Sequence, residues 1–325
     1  MDICENYLLT FAEKKATPSE KHNEGERGGA GMYDVVCIGN FTKDTIVTKT
    51  GSRVVPGGAF NYGAHAAKAL GARTAAVTRL AREDADVIRE LESFGVDVRV
   101  TYSPESTSLR LDYPTENPDD RTMTVTANAG PFAPREVEGL TSKSFILASS
   151  FHGEIGIDVI ETLLGQNAML ALDVQGFIRR LADGHLFYSF WDERRRVLPL
   201  LSVLKTDAVE ARYLTGESDF HAAARVLQNA GAREILLTHR DGVLVFDGKR
   251  SYEAPFLPGQ IVGRSGRGDT CLAAYVARRL VSPPAEAIVW AAALTSKKLE
   301  VDGPFKGDYA AVERFVAESY HRIPS

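Results

Sequence analysis

The sequence predicts an α/β fold: a doubly wound, mainly parallel sheet flanked by helices, with a small antiparallel β lid. Short apolar runs alternate with helical patterns along most of the chain, and several runs are apolar almost throughout, as strands covered on both faces are. Repeated strand-helix units favour parallel pairing. Two segments, at about 44–55 and 96–128, break the alternation, because strand-like runs follow one another there without a helix between them.

Length, composition and charge are those of an ordinary globular protein. The 325 residues are enough for one large α/β domain or two small ones, and 44% of them are apolar, which allows a sizeable core. The net charge is -5, and Lys and Arg are scattered among acidic residues without forming a basic stripe. We therefore expect no nucleic-acid partner.

The cysteines and the hydropathy of the sequence predict the cellular location of the protein. Cys4, Cys37 and Cys271 lie far apart and form no CxxC pair, which fits neither a disulfide framework nor a zinc site. No apolar run reaches the roughly 18 to 20 residues that a membrane-spanning helix needs. The N-terminus lacks the basic segment and long apolar core of a signal peptide. These features predict a cytoplasmic protein without a membrane partner.

Residues 1–32 are predicted to form a disordered leader, and residues 33–325 the folded domain. Residues 14–32 are polar, charged and rich in glycine, with too little apolar surface to offset the entropy of ordering them. Alternating elements follow, beginning with the strand YDVVCIG, the helix AFNYGAHAAKAL, the strand TAAVTRL and the helix ADVIRELESF. Later strands are predicted at SFILASS, MLALDV, SVLKTD and EILLTH.

The two irregular segments are predicted to form the lid. DTIVTKTGSRVV (44–55) alternates around a Thr-Gly-Ser turn, and VDVRVTYS, SLRLDY and RTMTVTAN succeed one another within 96–128. Such runs suit antiparallel strands with one solvated face. We expect them to cover a site, with a homodimer through the lid as a candidate assembly. The aromatic run HLFYSFWDE, which contains Tyr188, Phe190 and Trp191, is expected to pack against a helix.

A glycine-rich loop, GRSGRGDTC (263–271), comes directly before the predicted helix LAAYVARRL. The first amides of a helix lack partners within it, and Gly266 and Gly268 would let an anionic group approach them closely. Asp269 would stand beside a bound phosphoryl group, where it could accept a proton from an attacking hydroxyl. Two other interpretations compete: Asp269 as a simple N-cap, and Arg267-Gly268-Asp269 as an adhesion signal, which a cytoplasmic protein would not use.

The loop resembles the DTxGAGD signature of the ribokinase-like, or PfkB-type, carbohydrate kinases, and the order of features matches from residue 33 to about residue 305. CIGNFTKDTIV is similar to the opening segment of the family, and PGGAFNYGAHAAKALGA to its second signature. LKTDAVEARYLTG resembles the KxNxxEAxxLTG segment, and THRDG the TLGxxG segment. DVQGFIR and the GGAxxxxA form of the second signature are similar to the myo-inositol kinase branch.

The resemblance implies a role for each matched residue. Asp269 is the implied general base, and Gly266, Arg267 and Gly268 belong to the implied anion hole. The implied substrate-binding residues are Asp44, Gly57, Gly58, Asn61 and Arg179. The implied nucleotide-binding residues are Asp207, Thr238, Gly242, Gly266 and Gly268. Glu210 is the implied magnesium-binding residue, acting through water, and the implied cofactors are ATP and Mg²⁺.

Several of these residues also have ordinary structural interpretations. Asp44 could form a turn, and Gly57 and Gly58 could form a turn before a helix. Glu210 lies in an early helical turn, where a carboxylate favours the helix dipole. Arg179 could be a solvated surface residue.

This chain departs from the family pattern at four places. Gly263 replaces the leading aspartate of the signature, and Arg267 replaces the alanine of the anion hole, where a guanidinium could pair with phosphoryl oxygens. Asp207 stands where the family prefers asparagine. Asn61 comes one residue before the substrate-binding asparagine of the family, and Tyr62 takes its register.

The function predicted from these residues is ATP-dependent phosphorylation of a hydroxyl group on a small polyol, sugar or related carbohydrate. A nucleoside kinase of the same fold is the near alternative, with Phe41, Phe60 and Tyr62 as candidate walls for a base. A non-catalytic ligand-binding homologue is a second alternative. An NAD-dependent oxidoreductase is disfavoured, because GNFTKD after the first strand holds one glycine and no GxGxxG.

Overall fold

The computed structural model describes residues 32–115 and 122–320. The chain divides into two units, Met1–Gly31 and Met32–Ser325. The predicted disordered leader lies outside the described residues except for Met32, so that prediction stays open.

Strands and helices alternate through the described part of the chain. The strands are β1 (Tyr33–Ile38), β2 (Thr42–Thr48), β3 (Gly51–Gly57), β4 (Thr74–Leu80), β5 (Asp97–Tyr102), β6 (Thr107–Asp112), β7 (Thr122–Ala127), β8 (Ser142–Leu147), β9 (Met169–Asp173), β10 (Arg179–Ala182), β11 (His185–Tyr188), β12 (Val203–Asp207), β13 (Glu234–Thr238), β14 (Gly242–Phe246) and β15 (Ser251–Pro255). The α-helices are α1 (Ala59–Ala69), α2 (Asp86–Ser93), α3 (Ile157–Thr162), α4 (Gln175–Ile178), α5 (Arg194–Val197), α6 (Ala208–Thr215), α7 (Phe220–Asn229), α8 (Arg267–Arg279), α9 (Pro284–Leu299) and α10 (Tyr309–Ser319).

The main sheet has nine strands in the order β15-β14-β13-β12-β9-β8-β1-β4-β5. Pairing is parallel from β13 to β5, and β14 and β15 add an antiparallel edge. In β1, Val35 and Cys37 belong to one buried cluster, and Val36 and Ile38 belong to another. The strand is therefore apolar throughout because it feeds two cores. This confirms the predicted doubly wound α/β fold.

Small side chains bring α8 close to α1. A Cβ atom placed on Gly63 in α1 would lie 3.5 Å from Cβ of Ala273 in α8. Both helices belong to the same buried cluster as α9. This packing fixes the direction of α8, whose first residues approach the carboxyl ends of the central strands.

A second sheet of six strands, in the order β10-β11-β7-β6-β2-β3, forms the lid. The predicted segment 44–55 corresponds to the β2-β3 hairpin, and SLRLDY and RTMTVTAN correspond to β6 and β7. The predicted lid strand at 97–102 is wrong, because β5 pairs with β4 at the edge of the main sheet. An edge strand is half solvated, so its alternating pattern is the same as that of a lid strand. The lid is also not wholly antiparallel, since β2 and β6 run parallel.

Two lid strands, β10 and β11, were not expected from the sequence. Asp183 and Gly184 join them with φ angles of 50° and 78°, and Ala182 pairs with His185 across the turn. An Asp-Gly pair with two positive φ angles is the usual two-residue hairpin turn. HLFYSFWDE therefore begins as a strand, although Trp191 does pack against Phe177 of α4, with ring centroids 5.2 Å apart.

The exposed surface of the lid carries apolar side chains. Val54, Leu181 and Phe187 are 63%, 38% and 48% exposed, so apolar groups are present for the predicted homodimer, which stays a prediction. Among the helices of the described residues, none combines the length and the apolar character that a bilayer crossing needs.

We predict that Gly39→Ala destabilises the junction between β1 and the site. A Cβ atom there would lie 2.1 Å from the carbonyl oxygen of Ala148, so the backbone must shift, at about 1–3 kcal/mol in the free energy of unfolding. Urea denaturation would measure this. Gly259→Ala is the matched control, since its Cβ would meet Glu300 at 3.5 Å. Equal stability of the two variants would contradict the prediction.

Candidate active site

The glycine loop ends at the first residues of α8. Gly266 is the N-cap, with φ 73° and ψ 10°, a left-handed conformation that favours glycine. A Cβ atom on Gly266 would lie 2.2 Å from the ring of Tyr62, and one on Gly268 would lie 2.9 Å from Nζ of Lys205. Gly266 is therefore required by its conformation and by the space available, and Gly268 leaves room for the ammonium group of Lys205.

Asp269 is the third residue of α8, and its side chain makes no cap hydrogen bond. The interpretation of Asp269 as the N-cap is therefore wrong, because Gly266 holds that place. Asp269 is half-buried and lines a cavity of about 510 Å³. Gly266, Arg267 and Gly268 of the loop line the same cavity.

The cavity lies at the carboxyl ends of the central strands, as in other open α/β sheets. Asp173, Asp207 and Thr238 are the last residues of β9, β12 and β13, and all three line it. The remaining lining residues are Thr122, Met123, Gln175, Arg179, His185, Leu186, Phe187, Tyr188, Lys205, Val209, Arg264, Ser265, Gly266, Arg267, Gly268 and Asp269.

A buried ionic network underlies the loop. Nζ of Lys205 lies 2.8 Å from Asp173 and 3.8 Å from Glu210, and Nη2 of Arg179 lies 3.1 Å from Glu210. All four side chains are almost wholly buried. Burial alone would lower the pKa of Lys205, but the charges of Asp173, Glu210 and Asp207 outweigh it and raise that pKa. The ammonium group beneath Gly268 therefore stays charged.

The pKa of Asp269 is raised to about 6. Burial is the largest cause, the charge of Asp173 is the next, and Asp44 adds to it, while Lys205 and Arg179 act in the opposite direction. A carboxylate with a pKa nearer to neutrality is a better proton acceptor than an ordinary aspartate.

Four of the predicted substrate-binding residues, Asp44, Gly57, Gly58 and Asn61, are not among the residues that line this cavity. A Cβ atom on Gly57 would lie 2.7 Å from Oδ2 of Asp44, and one on Gly58 would lie 2.4 Å from the carbonyl oxygen of Asn40. The glycine pair therefore lets β3 and α1 close over Asp44. Asn61 is 2% exposed, and its Oδ1 has no hydrogen-bond partner among the described residues.

The residues predicted to bind the nucleotide do not all line the same cavity. Asp207 and Thr238 line the cavity, but Gly242 does not. Gly242 is buried in β14, where a Cβ atom would lie 2.6 Å from the carbonyl oxygen of Ala254. The pairing of β14 with β15 thus explains this glycine. Arg179, predicted to bind substrate, lines the cavity but is held by Glu210.

Glu210 does not fit the predicted magnesium role. Its Oε1 accepts from Arg179, and its Oε2 accepts from the backbone N–H of Asp207 in a capping box. Burial raises the pKa of Glu210 to about 7, although Lys205 and Arg179 oppose this. No group of three or more His, Cys, Asp or Glu side chains in the described ranges could hold a metal ion. We derive no step through a metal bound here.

Lys205, Asp173 and Arg264 belong to the site but were not among the predicted site residues. The sequence does hold a signal for Lys205: a charged residue inside the apolar run SVLKTD cannot reach solvent from a strand covered on both faces. Such a residue needs a buried partner, and Asp173 supplies it. Arg264 is exposed, and nothing in its local sequence distinguishes it from a surface arginine.

Known proteins resemble this chain in sequence and in fold. Residues 29–303 match the pfkB family carbohydrate kinase model. A cytidine kinase of Thermococcus kodakarensis is 26% identical over 266 residues, which cover 76% of this chain and 88% of the relative. A sulfate complex of a pyrophosphate-dependent kinase in the ribokinase family is 33% identical, with a TM-score of 0.80 over 86% of this chain and 99% of that one. A pyrophosphate-dependent kinase of the same family, bound to a pyrophosphate analogue and myo-inositol, is 32% identical, with the same TM-score and coverage.

The raised pKa of Asp269 generates a prediction about stability. The folded protein holds this proton up to about pH 6, whereas an ordinary aspartate loses it near 3.8. The free energy of unfolding should therefore fall as pH rises through that window. Asparagine carries no buried charge, so Asp269→Asn should raise the free energy of unfolding at pH 8 by about 1–2 kcal/mol, after allowance for solvent in the cavity.

Urea denaturation at pH 4 and pH 8 would measure this difference. Asp308→Asn is the control, because asparagine can replace Asp308 as the cap of α10. A loss of stability in Asp269→Asn at pH 8 would mean that the carboxylate mainly supports the start of the helix.

Proposed function

Because this chain belongs to the pfkB family of carbohydrate kinases, we propose that it phosphorylates a hydroxyl group of a small cyclic polyol of the inositol type. One observation carries the proposal: Asp269, whose carboxyl group has a raised pKa, lines the same cavity as the glycine loop and the buried, charged Lys205. A proton acceptor and an anion site thus adjoin, as in-line phosphoryl transfer requires.

Each part of the site has a role in this reaction. Asp269 accepts the proton of the attacking hydroxyl as the bond to phosphorus forms. The amides at Gly266 and Gly268 donate to the equatorial oxygens of the moving phosphoryl group, and the side chain of Arg267 lies in the same cavity wall. Lys205 neutralises the charge that passes to the leaving group. Lid strands β7 and β11 supply Thr122, Met123 and His185–Tyr188 to the cavity wall and would exclude water, the competing acceptor.

The acceptor side favours a polyol over a nucleoside. Asp44 accepts and Asn61 can both donate and accept, which suits a ring of hydroxyl groups. The buried Oδ1 of Asn61 gains a partner if a ligand hydroxyl donates to it. Phe41 and Phe60 pack edge to face, with ring centroids 6.3 Å apart, so each ring already has an aromatic partner. A myo-inositol complex among the solved relatives agrees with this choice.

Pyrophosphate is the donor that the cavity supports best. Arg179, Lys205, Arg264 and Arg267 all line it, and guanidinium groups bind phosphoryl oxygens bidentately. Two solved relatives above 30% identity are pyrophosphate-dependent. ATP, implied by the family resemblance, is the second candidate. Mg²⁺ would arrive bound to the phosphates of either donor. We place the reaction in the cytoplasm, which agrees with the free thiols of Cys37 and Cys271.

The first activity prediction concerns Asp269. Wild type should phosphorylate inositols with pyrophosphate, and Asp269→Asn should lower kcat by at least about 10²-fold, because the asparagine side chain cannot take the proton. In the wild type, kcat/KM should fall about tenfold per pH unit below pH 6, where Asp269 is protonated. Initial rates with a panel of inositols, sugars and nucleosides, each tested with pyrophosphate and with ATP, measure the loss in kcat. The same rates at varied pH measure the fall in kcat/KM.

Asp219→Asn, at the cap of α7, is the matched control and should keep the wild-type rate. If folded Asp269→Asn keeps more than a tenth of the rate, the assignment of the base is wrong. Phosphorylation of nucleosides alone would overturn the polyol assignment.

The second activity prediction concerns Arg267. Arg267→Ala removes a guanidinium from the cavity wall and should lower kcat/KM for pyrophosphate by about 10- to 100-fold, since a charge-assisted hydrogen bond contributes about 1.5–3 kcal/mol. Initial rates at varied pyrophosphate give the value. Arg225→Ala, on the exposed face of α7, should leave kcat/KM unchanged. A preference for ATP that Arg267→Ala does not alter would refute the donor assignment.

A further inference from the structure

Lys298 is a buried cation without a role in the reaction proposed above. It lies in the last turn of α9 and is 0% exposed. Its Nζ donates to the carbonyl oxygen of Gly263 at 2.9 Å and lies 5.4 Å from the ring centroid of Tyr62. Within the described residues, no carboxylate oxygen lies within 4.0 Å of it, so it forms no ion pair.

An ammonium group in this position is unfavourable by itself. Burial lowers the pKa of Lys298 to about 8, and the charges of Asp302 and Asp269 offset this only in part. Methionine would fill the same volume without burying a charge. A structural role in packing alone therefore does not account for lysine here.

The contacts of Lys298 reach both ends of the glycine loop. Gly263 begins the loop, and a Cβ atom on it would lie 2.5 Å from the carbonyl oxygen of Val301. The absence of a side chain at Gly263 thus allows the loop to approach the end of α9. At the other end, the ring of Tyr62 that Lys298 faces lies directly against Gly266.

We propose that Lys298 is a positioning residue for phosphoryl transfer: a resident cation that holds the carbonyl of Gly263 and the ring of Tyr62, and thereby aims the amides of the Gly266–Gly268 loop at the cavity. Its positive charge also lies behind the anion site, where it favours a bound phosphate. The inference rests on the proposed function for its kinetic effect, but not for its effect on anion binding.

Three titratable groups face Lys298. Tyr62 lies on α1, Asp269 on α8 and Asp302 beyond α9, and Asp302 is paired at 2.7 Å with Arg53 of β3. The phenol of Tyr62 has a raised pKa through burial, Asp44 and Asp269, so it stays neutral. As pH rises through about 8, Lys298 loses its proton, and the rate should fall with it.

Three variants test the proposal. Lys298→Met keeps the volume and removes the charge, Lys298→Ala opens a space for a small cation, and Lys297→Met, next to it on α9, is the control. We expect Lys298→Met to lower kcat about 10- to 100-fold, with the acceptor KM within about threefold and no loss of urea stability. It should also lack the fall in rate near pH 8. Lys297→Met should behave as the wild type.

Chemical rescue distinguishes positioning from general support of the fold. Ammonium chloride should raise kcat of Lys298→Ala at least about fivefold, whereas sodium chloride at the same ionic strength should not. If folded Lys298→Met keeps kcat within twofold of the wild type, or if ammonium does not rescue Lys298→Ala, the proposal is overturned.

A binding measurement separates this inference from the proposed function. Titration calorimetry with inorganic pyrophosphate should give a Kd for Lys298→Met at least about tenfold weaker than for the wild type. If the wild type turns over no acceptor, the proposed function fails, and the loss of pyrophosphate affinity still supports the role of Lys298. Equal affinities, or no binding by the wild type, would overturn that role.

Discussion

The ion pair between Lys205 and Asp173 is the interaction on which the rest of the site depends. It places a permanent positive charge between two parallel strands, directly beneath the backbone of Gly268. Without Asp173 and Glu210, burial would expel the proton from Lys205. Without Lys205, the carboxylates at the strand ends would face one another uncompensated. The charge of Lys205 lies beneath the loop, and the charges of Lys205 and Asp173 both act on the pKa of Asp269.

The two roles of the site make opposite electrostatic demands, which the fold separates in space. An anion site needs positive charge, whereas a base needs an environment that raises its affinity for a proton. In the proposed reaction, Lys205 and the helix amides serve the phosphoryl donor, and Asp44 serves the acceptor. Asp269, between them, is influenced by both, and burial with its carboxylate neighbours outweighs the lysine. The closeness of α1 and α8 keeps these distances short.

Much of the fold followed from the sequence, because strands that feed two cores are apolar throughout and helices such as α8 have a clear apolar face. The glycine loop was recognisable because the change from glycine-rich chain to helix is local. Two parts of the fold could not be recognised from the sequence. Strand β5 has the half-solvated pattern of any edge strand, so its partner β4 could not be inferred. The β10-β11 hairpin was missed although Asp183-Gly184 marks its turn.

The limits within the site have the same physical origin. Asp269 and the glycines could be found because their roles depend on neighbours in the chain. Glu210 could not be judged, because its partner Arg179 comes from a distant segment and satisfies an oxygen that the sequence left available to water. The burial of Phe60 and the contact of Tyr62 with Gly266 likewise depend on how α1 meets α8. Residue types indicated the chemistry, but the packing of helices decided which groups are accessible.

Helix α1 carries Asn61, a proposed acceptor-binding residue, next to Tyr62, whose ring lies against Gly266 of the loop. Any tilt of this helix, such as a bulkier acceptor would impose, displaces the floor of the loop by a similar amount. In the proposed reaction, binding of the acceptor and transfer of the phosphoryl group are thus coupled through helix α1. The chain has little freedom to evolve toward a new acceptor by altering α1 without also readjusting the geometry of the transfer step.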